Sequence, residues 1–78
     1  MKIRIKAFGM AREILGGTTE IDFEGITVKD LRDELHALYP ALKSLASIMV
    51  AVNQQYAPDD IHLNATDEIV LIPPVSGG

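Results

Sequence analysis

One long helical period, from Thr27 to Pro40, stands between two pairs of strand-like segments, and this order limits the folds open to the chain. Val28, Leu31, Leu35 and Leu38 recur at helical spacing, while Lys29, Arg32, Asp33, Glu34 and His36 fall on the remaining surface. Such a helix has one face to bury. Thr27 stands at the N-cap and Asp30 at N3, a capping-box-like pair, with Ile26 and Leu31 spaced as a hydrophobic staple. Pro40 disfavours helical geometry at Tyr39 and ends the segment.

Before the helix, Lys2 to Ala7 alternates polar and apolar residues, the period of a strand with one wet face. Met10 to Leu15 holds good helix formers, and Gly16-Gly17 stops any short helix there. A second alternation places Thr19, Ile21 and Phe23 opposite Glu20, Asp22 and Glu24, the latter a solvated acidic face. After the helix comes a loop with Leu42 and Leu45. Ile48 to Val52 then reads as a buried strand bounded by the turn-like Asn53-Gln54-Gln55, and a last strand spans Glu68 to Ile72. One amphipathic helix can cover one face of a four-stranded sheet, so the expectation is an α+β two-layer domain over residues 1–72. The 78-residue length leaves room for one core and no second domain.

Composition removes several kinds of chemistry. A formal charge of -4 offers no electrostatic footprint for a phosphate backbone, so nucleic acid is not an expected partner. No cysteine is present, which excludes disulfides, thiolate metal sites and a thiol nucleophile. His36 and His62 have no acidic or histidine companion at ligand spacing, and no metal is expected. The N-terminus enters a strand pattern directly and no apolar run approaches membrane-spanning length, so the expected location is cytoplasmic, away from membranes.

Chemistry is expected instead at the extended tail of residues 73–78, Pro73-Pro74-Val75-Ser76-Gly77-Gly78. Two prolines cannot donate to a ladder and favour an extended exit, which stops the last strand and aims the tail outward. At about 3.3 Å per residue the tail reaches roughly 20 Å into a partner's cleft. Gly77 and Gly78 lack a Cβ, so a narrow channel can close on their backbone. The Gly78 carboxylate, ionised at neutral pH, can attack the α-phosphate of ATP to give an acyl adenylate. Sulfide delivered at that stage displaces AMP and leaves a thiocarboxylate. Sulfur then travels on the backbone terminus, in agreement with the absence of cysteine.

The segments Phe8 to Gly16, Ala51-Val52-Asn53-Gln54, Asp67-Glu68-Ile69-Val70 and Pro73 to Gly78 together resemble the small subunits of molybdopterin synthase. The resemblance spans nearly the whole chain, with the double proline before the diglycine as its most specific element. It implies a ubiquitin-like β-grasp fold, with one principal helix packed across a mixed sheet. Adenylation at Gly78 by an E1-like activating enzyme that uses ATP is also implied, with sulfur from a sulfur donor protein. The tail, Pro73 to Gly77 included, would enter the synthase large subunit, whose pocket passes the sulfur to a pterin precursor. No cofactor is expected on the chain itself, and catalysis is expected in the partners.

Strand parity adds a second expectation. Phe8 shares parity with Lys2, Arg4 and Lys6, and Ile72 with Glu68, so both point away from the helix-covered face. Tyr56 is expected to join them. In the resembled family the corresponding positions form a docking patch on the open sheet face. The diglycine is shared by carriers for thiamine synthesis and tRNA thiolation and by ubiquitin-like protein modifiers, and these remain alternatives, as does an interaction domain with an inert tail. Arg12 and Glu13 match a family segment, but a structural role at the helix end is favoured.

Overall fold

A computed structural model of the chain describes residues 1–44 and 48–73. Leu45 and residues 74–78 of the tail lie outside the described residues. The elements are β1 (Lys2–Ala7), α1 (Gly9–Leu15), β2 (Thr18–Asp22), α2 (Val28–Leu38), a short 3₁₀ turn (Pro40–Ser44), β3 (Met49–Val52), β4 (Gln55–Tyr56) and β5 (Ile69–Ile72). The strands form one mixed sheet in the order β2-β1-β5-β3-β4, in which β1 and β5 are parallel and the other pairs antiparallel. This is the expected ubiquitin-like α+β arrangement, with one strand more than the alternation indicated.

The extra strand is β4. Asn53 and Gln54 alone make the turn, with φ of 53° and 71°, and Gln55 already pairs with Val52. A two-residue hairpin loop with both φ positive matches the twist of its strands. Here the favoured Asn-Gly is replaced by Asn-Gln, and a two-residue strand carries no readable period. The Asn53 side chain holds the turn in place by accepting from the Glu68 N–H at 3.0 Å and donating to Asp67 at 3.1 Å.

The core lies between the sheet and α2. Ile3, Ile5 and Ala7 of β1, Ile69 and Leu71 of β5, and Val50 of β3 meet Val28, Leu31 and Leu35 of the helix. Each large aliphatic side chain buried this way contributes about 1.5–3 kcal/mol relative to exposure. The expected capping box is present: Asp30 N–H donates to Thr27 Oγ1 at 3.3 Å, and Thr27 N–H donates to Asp30 Oδ2 at 3.0 Å. The Asp30 carboxylate also accepts the Ile26 N–H at 2.9 Å. These backbone donors, from Ile26 first and then Thr27, hold the Asp30 carboxyl below its ordinary range. The staple does not form, because Ile26 remains 59% exposed while Leu31 is fully buried. With two of its neighbouring N–H groups satisfied by Asp30, the entry to the helix is fixed by hydrogen bonds instead. Arg32 then ties α2 to the surrounding loops through Asp59 at 3.0 Å and the Ile48 carbonyl.

Candidate functional site

β5 carries the tail, and its position sets where the tail begins. It is a central strand, flanked by β1 and β3, and Ile69, Val70 and Leu71 are all buried. Its exit is therefore anchored from both sides. Phe8 N–H donates to the Leu71 carbonyl at 3.2 Å, extending the β1–β5 ladder to the end of β5. The next residue, Gly9, turns the chain from β1 into α1 with φ of 56°. Pro73, half-buried, lies directly against it. α1 closes at Gly16, whose φ of 86° lets its N–H reach the Arg12 carbonyl.

The sheet face opposite α2 is open, and parity assigns its residues as expected. Lys2, Arg4, Lys6 and Phe8 are exposed while Ile3, Ile5 and Ala7 are buried. One row across this face runs Tyr56, Ala51, Val70, Lys6, following the pairings of Tyr56 with Ala51, Ala51 with Val70, and Val70 with Lys6. A second row sets Met49 beside Ile72, with Phe8 alongside as the parallel register continues. Phe8 is 45% exposed, Met49 45% and Tyr56 65%, whereas Ile72 is half-buried. Phe8, Tyr56 and Ile72 thus share one apolar surface beside the root of the tail. Lys6 borders it, with Nζ 5.4 Å from the Phe8 ring centroid, inside the range of a cation–π contact.

The model of the ThiS family matches residues 5–78. The chain belongs to the ThiS family. A molybdopterin synthase sulfur carrier subunit of Chlamydomonas reinhardtii is 39% identical, with all of both chains covered. Among solved structures, small archaeal modifier protein 1 from Haloferax volcanii is 34% identical with a TM-score of 0.80, again with both chains fully covered. A chain in the complex of subunits 1 and 2 of the molybdopterin-converting factor from Helicobacter pylori is 29% identical with a TM-score of 0.69 over all of both chains.

Within this ThiS-family chain, the proposed reactive Gly78 and its neighbours Gly77, Ser76, Val75 and Pro74 lie outside the described residues, and Pro73 marks where they start. Two contributors to the site were not apparent in the sequence. Met49 falls in a run that reads as buried throughout, yet it shares parity with Ala51 and lies on the open face. Gly9 reads only as part of a family segment, and its contact with Pro73 depends on the β1–β5 pairing. Arg12 and Glu13 are exposed and form no salt bridge among the described residues. Also among the described residues, no group of three or more His, Asp or Glu could hold a metal ion. No helix there is long and apolar enough to cross a membrane. The displaced ionisations of Asp30 and Lys29 belong to α2, where they serve a helix cap and an ion pair with Asp33.

Proposed function

We propose that this chain is the sulfur carrier subunit of a molybdopterin synthase, with the Gly78 carboxylate as its working group. The observation that carries the reading is the end-to-end likeness to the Chlamydomonas carrier subunit. An apolar open face at the root of the tail, on a chain without cysteine, agrees with it. In the first step the carboxylate oxygen attacks the α-phosphorus of ATP in an activating enzyme and pyrophosphate leaves. A sulfur donor protein then supplies sulfide to the acyl carbon and AMP leaves, giving the thiocarboxylate. Phe8, Tyr56 and Ile72 dock the body on the large subunit while residues 73–78 extend into its pocket, where sulfur passes to the pterin precursor. No basic side chain occurs from Pro73 to Gly78, so the large subunit supplies the cations that stabilise charge at the reacting sulfur.

Intact mass measured after incubation with the cognate activating enzyme, ATP and a sulfur donor tests the first half. Exchange of one oxygen for sulfur is expected, and an unchanged mass refutes the carrier reading. Adding the large subunit and the pterin precursor is then expected to consume the thiocarboxylate.

A second reading has its own support in the 34% identity to the Haloferax modifier protein. A lysine amine attacking the same adenylate would displace AMP and form an isopeptide bond. Capture of the chain on lysines of other proteins, with no transfer to the pterin precursor, would favour this outcome.

A further inference from the structure

Gly9 meets two separate demands at the place where β5 leaves the sheet. Its φ of 56° belongs to the left-handed region, a demand of the turn that asparagine can also meet. The second demand is spatial. A Cβ on Gly9 would stand 3.0 Å from Pro73 Cγ and 3.8 Å from Pro73 Cδ, and apart from its chain neighbours and the backbone of α1 nothing else among the described residues lies within 4 Å of it. Such a contact is tighter than ordinary van der Waals packing, so a side chain at this position presses on the Pro73 ring rather than on the core.

We propose that Gly9 is a positioning residue for the terminus: its bare Cα seats the Pro73 ring and so sets the direction in which the chain continues toward Gly78. The inference rests on the reading of Gly78 as the activated group. The seat is fixed on one side by the Phe8–Leu71 hydrogen bond, and on the other by the proline ring, whose φ is held near about -65°. A tail whose first residue is held in place loses less orientational freedom when it enters a narrow cleft. The benefit therefore falls on the rate of activation, while docking of the body depends on the open face and is indifferent to the seat.

The test uses the full chain and the variants Gly9→Ala, Gly9→Asn, Pro73→Ala and Gly9→Ala/Pro73→Ala. Thiocarboxylate formation with the activating enzyme gives kcat and KM, and melting is followed alongside. Gly9→Asn keeps the turn but adds the Cβ, so it is expected to melt close to the wild type and still lose about tenfold or more in kcat/KM. The double variant is expected to be no slower than the worse single one, because both changes remove the same contact. A nuclear Overhauser contact between the Gly9 Hα protons and the Pro73 ring is expected in the free wild-type protein. Absence of that contact, a wild-type rate in Gly9→Asn, or losses that multiply in the double variant would overturn the seat alone. A wild-type chain that gains no sulfur would overturn the functional reading, and the seat with it.

Discussion

Tyr56 stands on the edge strand β4 with 65% of its surface in water, opposite Ala51 and beside the row that leads to Val70 and Lys6. Its replacement by alanine separates docking from folding more cleanly than any other change on the open face. An aromatic side chain buries about 150–250 Å² when fully covered. About two-thirds of that is still available to a partner, and at about 25 cal/mol per Å² its loss corresponds to roughly 2–3 kcal/mol once the cost of covering the hydroxyl is allowed for. Affinity for the large subunit should therefore fall roughly 30- to 150-fold. In the free protein the substitution removes little beyond a cross-strand contact with Ala51, about 0.2–1 kcal/mol, and so lowers Tm by only a few degrees. Titration calorimetry with the large subunit and thermal melts of the free chain measure the two effects. Lys29→Ala, on the exposed side of α2, is the control and should leave affinity unchanged. A Tyr56→Ala protein that binds like the wild type, or loses stability and affinity in equal measure, would refute the open face as the docking surface.

Ile72→Asp should weaken the same complex strongly, since it sets a charge at the centre of the patch beside Met49, and calorimetry reads the loss. Deleting Gly78 should abolish thiocarboxylate formation in the mass assay while leaving the melting curve in place; full turnover by the shortened chain would exclude a terminal mechanism. Thr27→Ala should cost about 1 kcal/mol by removing one half of the capping box, seen as a Tm lower by about 4–8 °C. Asp30→Asn should lose its stability deficit in acid. The folded Asp30 carboxyl titrates below its ordinary value of 3.8, so its contribution is complete above that pH and disappears as the pH falls through the lower folded value. Melts of the two proteins should converge there.

Much of this architecture could be read from local pattern because the local pattern is what produces it. The alternation from Lys2 to Ala7 matches alternate exposure and burial residue by residue, and Thr27 with Asp30 caps α2 as their spacing requires. Parity placed Phe8 and Ile72 outside the core without knowledge of strand order, and its place just after the Asn53-Gln54-Gln55 turn grouped Tyr56 with them. What escaped the sequence depends on partners distant along the chain or on elements too short to show a period. β4 has two residues, and Met49 reads as core until the pairing of β3 with β5 shows which of its faces is covered. Ile26 has staple spacing, but the Asp30 carboxylate already fixes the backbone there, leaving the side chain in water. The nearness of Gly9 to Pro73 could not be foreseen, since it exists only when β1 and β5 lie side by side.

That parallel pairing also bears on how the open face assembles during folding. Ile5 lies beside Ile69, so β1 is completed by a strand far from it along the chain. Pairings between such distant segments close a large loop and are slow to form compared with local ones. Both rows of the open face draw residues from β5, and so does the root of the tail. A chain caught before β5 has docked therefore displays neither the surface nor a fixed exit for its end.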